Sequence, residues 1–187
     1  ASICAIKNGE SVETSMGLTP LWGIPMGTRS GDLDPSVVTY LMKKEGWTAE
    51  EAETILNKES GVFGMSMVSV DFRDIEAEAL AGGKQAKLAL DAYHYAIAGY
   101  IAKCAVAMEG IDIITFTAGV GEKSPYSRSE ICKYLEYLGV EISGKSNLAR
   151  GEETEISTPE SKVKVYVVPT NEELMIAKET EKVIKRN

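Results

Sequence analysis

The chain has 187 residues, and its 20 lysines and arginines against 28 aspartates and glutamates give a formal charge of −8. Hydrophobic residues make up 44% and charged residues 26%, a composition that supports a core and excludes a disordered chain. An acidic chain lacks the excess of positive charge with which proteins bind the phosphates of nucleic acids. No apolar run in the sequence reaches the roughly 18 residues that span a bilayer. We therefore expect neither a nucleic-acid nor a membrane partner, and a cytoplasmic location.

Cysteine and histidine are sparse in this sequence. Cys4, Cys104 and Cys132 lie far apart, and His94 is the single histidine. This spacing argues against a zinc site and against a disulfide framework, and it fits a reducing compartment. Because His94 falls inside a long helical pattern, we predict a structural role for it rather than a catalytic one.

The N-terminal segment is predicted to form a β-hairpin followed by a structured loop. Residues 2–7 and 10–15 flank Asn8-Gly9, a dipeptide typical of a type I′ turn. Residues 16–35 contain four glycines and three prolines, too many for a helix or a central strand. A loop of this length is usually a functional one.

Two capped helices are predicted after this loop. Asp34 and Pro35 supply an N-cap and a first-turn proline for the first of them. Thr48 and Glu51 have the spacing of a capping box for the second. These signals depend on neighbouring residues only, so they place the starts of both helices.

The rest of the chain alternates helices with strands. The predicted helices are residues 84–108, residues 124–138 and a closing helix after residue 171. The predicted strands are residues 111–117, 140–142 and 163–168. Residues 143–161 are predicted to form a polar connector. In the closing helix we expect the apolar side chains to face inward: Leu174, Ile176 or Ala177, Val183 and Ile184. This order predicts one α/β domain over residues 1–187, with helices covering a mixed sheet.

A literal phosphate-loop motif, GVEISGKS, occurs at residues 139–146. Such a loop requires a buried strand before it, a flexible backbone within it and a helix that begins at its lysine. Here a predicted helix precedes the motif, and Val140 and Ile142 are β-branched where the chain has to curl around phosphates. A nucleoside triphosphatase that binds phosphate through Lys145 is therefore a low-ranking hypothesis, third after the two that are described below.

Residues 117–122 follow the predicted central strand and contain Gly119 and Gly121. Ligands of α/β sheets bind beyond the carboxyl ends of the strands, and glycines let the backbone approach a ligand closely. An ordinary strand-to-helix turn explains the same pattern equally well.

Three further groups of residues each have a functional and a structural interpretation. Arg29 suits a phosphate or a carboxylate, but an ion pair with Asp32 or Asp34 is as good an explanation. Residues 71–73 offer a carboxylate, a ring and a guanidinium for a nucleoside, although a helix N-cap with an inward phenylalanine is the simpler interpretation. The Glu172 carboxylate interacts favourably with the dipole at the start of the closing helix, and this interaction is enough to explain the residue.

Several segments taken together resemble the C-terminal half of the acetate kinase family: residues 13–35, 60–66 with 70–74, 116–128 and 167–180. The resemblance runs through the whole chain in order. It implies the ribonuclease H-like fold of the superfamily of actin, sugar kinases and heat-shock ATPases. It also implies that the chain is the C-terminal nucleotide-binding domain, that the N-terminal domain and the first strand of this domain are missing, and that Ala1 is not a natural start.

The resemblance implies phosphoryl transfer from ATP to acetate, giving ADP and acetyl phosphate, with Mg²⁺. It implies that Arg29 is a catalytic arginine that also binds the acetate carboxylate, and that Pro20 lines the pocket for the acetate methyl group. The implied nucleotide and metal residues are Asp71, Phe72 and Arg73 for adenosine, Gly119, Val120, Gly121 and Lys123 near the phosphates, and Glu172 for magnesium. Lys123 stands where the family usually has asparagine, and Trp22 where it usually has glutamate.

Two alternatives remain beside acetate kinase. Propionate kinase is similar throughout, and Pro20 alone does not distinguish the two substrates. The chain is also explained as an inactive nucleotide-binding and dimerisation fragment, since the resemblance implies a homodimer formed through this domain. In either case the missing N-terminal domain is the expected partner, and the fragment is expected to be inactive alone.

Overall fold

The structure, a computed structural model, describes residues 1–186, so Asn187 at the end of the predicted domain lies outside it. Two units make up the described chain. The first unit contains residues 1–111 and 130–137, and the second contains residues 112–129 and 138–186.

The first unit begins with the predicted hairpin. Strand β1 (Cys4–Lys7) pairs antiparallel with strand β2 (Glu10–Thr14). Between them Asn8 and Gly9 have φ angles of 56° and 83°, the left-handed values that a type I′ turn requires. The hairpin prediction is confirmed.

The capping signals also gave the correct helix starts. Helix α1 (Pro35–Glu45) is capped by the Asp34 carboxylate, which accepts a hydrogen bond from the Ser36 N–H. Helix α2 (Ala49–Lys58) begins with the capping box of Thr48 and Glu51, in which both reciprocal hydrogen bonds are present.

A long helix forms the core of the first unit. Helix α3 (Gly61–Ser66), which the sequence did not predict, and helix α4 (Phe72–Leu80) both pack against helix α5 (Lys84–Met108). One face of α5 is buried, including Leu90, Ile97 and Ile101. Because this face repeats every three or four residues, the periodic pattern of residues 84–108 predicted the helix correctly.

The second unit contains a three-stranded mixed sheet. Strand β3 (Ile113–Phe116) runs parallel to strand β5 (Lys164–Val167), which pairs antiparallel with strand β4 (Thr154–Glu155) on its other side. The inward side chains of the two longer strands are buried, as Ile114, Phe116, Val165 and Val167 are. The predicted α/β class with a mixed sheet and flanking helices is confirmed.

Several local predictions for residues 118–161 are wrong. Residues 118–123 form a short helix, α6 (Ala118–Lys123), instead of an open glycine turn. Helix α7 (Pro125–Lys133) follows it, and residues 136–138 form a 3₁₀ turn rather than more of α7. The predicted strand at residues 140–142 is reduced to a single bridge from Ile142 to Ser157, and the connector after it includes β4.

The closing helix exists, but the prediction of inward side chains is wrong. In α8 (Glu172–Arg186), Leu174, Ile176, Ala177, Val183 and Ile184 are all exposed. An apolar stripe shows which side chains share a face, but none of residues 1–186 covers that face. Within the described residues, no helix is both long enough and apolar enough to cross a membrane.

Candidate functional site

The glycine-rich loop of residues 16–35 is held closed by Asp32. The Asp32 carboxylate accepts the Gly23 N–H at 2.8 Å, and the Asp32 N–H donates to the Gly23 carbonyl at 2.8 Å. The Tyr100 hydroxyl of α5 donates to the same carboxylate. Since Asp32 joins both ends of residues 23–32 and anchors them to α5, Arg29 lies in a fixed loop rather than a mobile one.

A second set of hydrogen bonds fixes the loop from the side of α3. The N–H groups of Ser60, Val62 and Phe63 donate to backbone carbonyls of residues 26–28 at 2.8 to 3.0 Å. Gly61 has a φ of 62°, and a Cβ there would lie 2.2 Å from the Met26 carbonyl oxygen. Only glycine therefore allows this close approach of the two backbones.

Arg29 itself is half-buried, and no carboxylate among residues 1–186 forms an ion pair with it. The guanidinium Nη1 lies 3.8 Å from the Met26 sulfur, a weak contact. Asp34 is engaged in capping α1, and Asp32 in closing the loop. The alternative of an ion pair with either aspartate is therefore wrong, and the guanidinium keeps its capacity to bind an anion.

The side chains around this loop differ in exposure. Pro20 is exposed, and Trp22 is 51% exposed although it was predicted to pack. Trp47 lines an apolar cavity of about 380 Å³ between α1, α2 and α3. The packing prediction holds for Trp47 and is wrong for Trp22, which lies beside Gly17 with half of its surface exposed.

Asp71, Phe72 and Arg73 adopt both of their predicted structural roles. The Asp71 carboxylate caps α4 by accepting the Arg73 N–H at 2.9 Å, and the ring of Phe72 lies 4.8 Å from the ring of Tyr93. Arg73 Nε also donates to Asp71 at 3.0 Å, and this hydrogen bonding lowers the pKa of Asp71 to about 2. The Arg73 side chain is still 88% exposed, so its planar face is available to a ligand.

Gly119 and Gly121 differ in what their missing side chains allow. At Gly121 a Cβ would be 3.4 Å from the backbone of Phe116, an ordinary van der Waals contact. At Gly119 a Cβ would meet nothing within 4 Å. Packing therefore requires glycine at neither position, and Gly119 has the more open surroundings of the two. Val120 is half-buried beside them, and Lys123 is exposed at the end of α6.

Glu122 is a residue that the sequence analysis missed. Its Oε1 accepts hydrogen bonds from the Ala118 N–H at 2.7 Å, the Thr170 N–H at 2.8 Å and the Thr170 hydroxyl at 3.2 Å. The bond from the Thr170 N–H is the main reason that the pKa of Glu122 lies below its ordinary value. The carboxylate thus joins the turn after β3 to the turn after β5.

Arg128 of α7 was missed as well. It is fully buried, and its Nη1 donates to the carbonyls of Gly121 at 2.8 Å and Glu122 at 2.9 Å. Its Nε donates to the side chain of Asn147 at 2.8 Å, and its Nη2 to the Ala149 carbonyl at 3.1 Å. An arginine shortly after Ser-Pro was the available sequence signal, but two of its partners, Asn147 and Ala149, lie 19 and 21 residues away.

Glu172 occupies the first turn of α8, behind Asn171, whose side chain caps the Leu174 N–H at 3.0 Å. Its carboxylate is exposed. Among residues 1–186, no three His, Cys, Asp or Glu side chains are grouped as metal ligands. One carboxylate fits Mg²⁺, which is commonly bound by one or two carboxylates together with substrate phosphates.

The remaining motifs have structural explanations. At the phosphate-loop motif, Val140 is buried and Ser146–Leu148 forms only a 3₁₀ turn, so the strand and helix that such a loop requires are missing. His94 is fully buried, and burial lowers its pKa to about 4. A neutral, packed histidine is what the helical pattern predicted.

Comparison with known proteins identifies the family. Residues 1–178 match the Acetokinase family. The chain is 61% identical over 188 aligned residues to the acetate kinase of Thermosipho melanesiensis and 60% identical to that of Fervidobacterium nodosum, covering all of this chain and 46% of each relative. The chain therefore spans about half the length of the curated relatives it matches.

Solved structures agree with this result. The crystal structure of Porphyromonas gingivalis acetate kinase has a TM-score of 0.93 and 47% identity, over 98% of this chain and 46% of that one. A propionate kinase from Francisella tularensis has a TM-score of 0.89 and 39% identity, over 95% of this chain and 45% of that one. The chain belongs to the acetokinase family.

Proposed function

We propose that the chain is the nucleotide-binding part of an acetate kinase, in which the γ-phosphoryl group of ATP passes directly to acetate to give ADP and acetyl phosphate. The observation that carries this proposal is Arg29, a half-buried guanidinium held in a fixed loop without a carboxylate partner among residues 1–186. The high identity to acetate kinases supports it. Because the chain spans about half of those relatives, we expect it to be inactive alone.

Arg29 supplies the chemistry that phosphoryl transfer needs. The transition state spreads negative charge over three equatorial oxygens, and catalysis consists mainly of positioning and charge stabilisation. A guanidinium whose loop is already fixed loses little entropy when it binds this charge. The same fork of N–H donors suits the acetate carboxylate, and Pro20 of the same loop is assigned to the pocket for the methyl group.

The nucleoside is assigned to residues 71–73 of the first unit. The Asp71 carboxylate stays ionised at neutral pH, which suits it to accept the hydroxyl groups of a ribose. Arg73 presents an exposed guanidinium plane for stacking on adenine, and its bond to Asp71 orients that plane. Phe72 keeps the turn in place through its contact with Tyr93.

The phosphates and the metal ion are assigned to residues of the second unit. Gly119 has open space where a side chain would be, which supports a close approach by a phosphate. Val120 and Gly121 continue this backbone, and Lys123 adds an exposed positive charge. When bound, Mg²⁺ neutralises phosphate charge during transfer, and Glu172 is the carboxylate that would hold it.

Propionate is the second candidate substrate. The Francisella tularensis propionate kinase matches 95% of this chain with 39% identity, so the shared fold is compatible with either substrate. One added methylene changes binding in an apolar pocket by about 1 to 3 kcal/mol. Comparing kcat/KM for acetate and propionate in the full-length enzyme would decide between the two.

We also propose a homodimer and a further domain as partners. The exposed apolar stripe of α8 supports a partner surface, because contiguous apolar patches on soluble proteins commonly mark interaction sites. Light scattering tests the dimer, for which we expect a mass of about twice the 20.2 kDa of this chain. A monomer at all concentrations would contradict it.

Calorimetric titration with ADP and Mg²⁺ tests the nucleotide assignment. We expect the chain to bind ADP, and Asp71→Ser to weaken binding by about tenfold or more because serine keeps the helix cap but loses the carboxylate. Asp34→Ser is the matched control, since Asp34 caps α1 in the same way. The proposal is wrong if the unaltered chain binds no ADP, or if both variants bind it equally well.

A further inference from the structure

A single oxygen atom joins two turns of the second unit. Glu122 Oε1 accepts hydrogen bonds from the Ala118 N–H and from both the N–H and the hydroxyl of Thr170. Ala118 follows β3 and Thr170 follows β5, and these strands are parallel neighbours. Glu122 therefore ties together the two places where the sheet ends at its carboxyl edge.

The turn that Glu122 holds is a strained one. Ala118 has a φ of 56°, a left-handed conformation that costs a residue with a Cβ about 1 to 2 kcal/mol. Strain of this kind persists where surrounding contacts determine the backbone. The bond from the Ala118 N–H to Glu122 is such a contact, and it fixes the peptide between Thr117 and Ala118, directly before Gly119.

The other end of Glu122 is fixed by Arg128. The buried guanidinium donates to the carbonyls of Gly121 and Glu122, at the end of α6. With its backbone held in this way, Glu122 extends its side chain from a fixed origin to Ala118 and Thr170. A chain of contacts thus runs from Arg128 through Glu122 to Thr170, two residues before Glu172.

We propose that Glu122 is a positioning residue that sets the spacing between the Gly119 backbone and the Glu172 carboxylate, so that the phosphates of a nucleotide and their Mg²⁺ ion are bound together. This inference rests on the proposed function. It assigns Glu122 no contact with the ligand. Its effect is on the phosphate end of the nucleotide, and the affinity for adenosine alone does not depend on it.

Two conservative variants distinguish the effect of the length of the Glu122 side chain from the effect of its charge. Glu122→Gln keeps the length of the side chain and the acceptor oxygen but loses the charge, whereas Glu122→Asp keeps the charge but is one methylene too short to hold both turns. Glu155→Asp is the matched control in the same unit, because Glu155 also accepts hydroxyl bonds, from Ser157 at 2.6 Å and Tyr166 at 3.2 Å.

Affinities for adenosine and for ADP with Mg²⁺ are measured by calorimetry for all four proteins. We expect Glu122→Asp to weaken binding of ADP with Mg²⁺ by about tenfold, and Glu122→Gln and Glu155→Asp to change it by less than about threefold. Adenosine affinity should stay within about twofold throughout. Amide hydrogen exchange should be faster at Ala118 and Thr170 in Glu122→Asp only.

The possible failures are distinguishable. If Glu122→Gln loses as much affinity as Glu122→Asp, the charge matters and Glu122 acts on the ligand or the metal ion, which overturns the positioning role. Equal affinity in Glu122→Asp and the unaltered chain overturns it too. An unaltered chain that binds neither adenosine nor ADP contradicts the proposed function itself, and the positioning role with it.

Discussion

The hydroxyl of Tyr100 donates a hydrogen bond to the carboxylate of Asp32, 68 residues earlier in the chain. This bond connects the middle of α5 to the loop that contains Arg29. Asp32 in turn closes the loop through Gly23. The position of the proposed catalytic guanidinium therefore depends on the phenol of Tyr100 in α5.

Replacing Tyr100 by phenylalanine should destabilise the first unit by about 1 kcal/mol, the usual net contribution of one hydrogen bond. Urea unfolding measures the change. Tyr95→Phe is the control, because among residues 1–186 the Tyr95 ring packs on Tyr134 while its hydroxyl has no hydrogen-bond partner. Equal stability of the two variants would contradict a structural role for the bond.

The same bond should respond to alkaline pH. Burial, and then the bond to Asp32, raise the pKa of Tyr100 from 10.0 to about 12. Because the folded-state pKa is raised, the phenol contributes its full stability below pH 10 and loses it as the pH rises through about 12. The difference in unfolding free energy between the unaltered chain and Tyr100→Phe should shrink over that range. A constant difference would show that the bond does not control the titration.

Two glycines with the same backbone conformation should differ sharply in their tolerance of alanine. Gly46 and Gly61 have φ angles of 74° and 62°, but only at Gly61 would a Cβ clash, with the carbonyls of Met26 and Arg29. Gly46→Ala should cost about 1 kcal/mol, the backbone penalty alone. Gly61→Ala should cost at least about 2 kcal/mol more, because the loop has to move. Thermal unfolding gives both values, and similar melting temperatures would contradict the close approach.

Glycine at position 118 should stabilise the protein. The left-handed φ of 56° is strained for Ala118, whereas glycine adopts it freely. Ala118→Gly should therefore raise the free energy of unfolding by as much as about 1 kcal/mol. Ala96→Gly in the middle of α5 should have the opposite sign, a loss of about 0.5 to 1 kcal/mol. Chemical denaturation measures both. A loss of stability in Ala118→Gly would show that the strain is absent.

Acid should weaken the connection made by Glu122. The pKa of its carboxyl lies below the ordinary value, mainly through the Thr170 N–H, so its contribution is present at neutral pH and is lost as the pH falls through the folded-state pKa. The unaltered chain should be more stable than Glu122→Gln near neutral pH, and the difference should shrink as the pH falls through the folded-state pKa of Glu122. A difference that grows in acid would reverse the assigned sign.

Local energetics explain why some elements could be predicted from sequence. The turn at Asn8-Gly9 and the capping box of Thr48 and Glu51 depend on interactions within four residues, and both formed as expected. The helix at residues 118–123 was missed because its stability depends on Glu122 and Arg128, whose partners lie up to 48 residues away. Glycines at short spacing indicated an open turn when those partners were unknown.

The candidate site divides in the same way. Arg29, Asp71 and Gly119 could be proposed from the sequence because they lie in recognisable motifs, whereas Glu122 and Arg128 act through backbone groups that no spacing rule reveals. The apolar stripe of α8 was identified correctly as a stripe, but the direction it faces depends on what covers it. Sequence patterns therefore located the groups proposed to touch ligand better than the groups that hold them in place.

Arg128 gives the second unit a permanent interior charge. A guanidinium keeps its proton at every pH at which a protein folds, so its bonds to the carbonyls of Gly121 and Glu122 do not weaken in acid or in mild alkali. Lysine could not replace it, because the donors of one ammonium nitrogen cannot reach all the acceptors that Arg128 contacts through three separate nitrogens. At the pH extremes where Glu122 and Tyr100 release their partners, the peptide at the end of α6 should be among the last parts of its unit to lose its native hydrogen bonds.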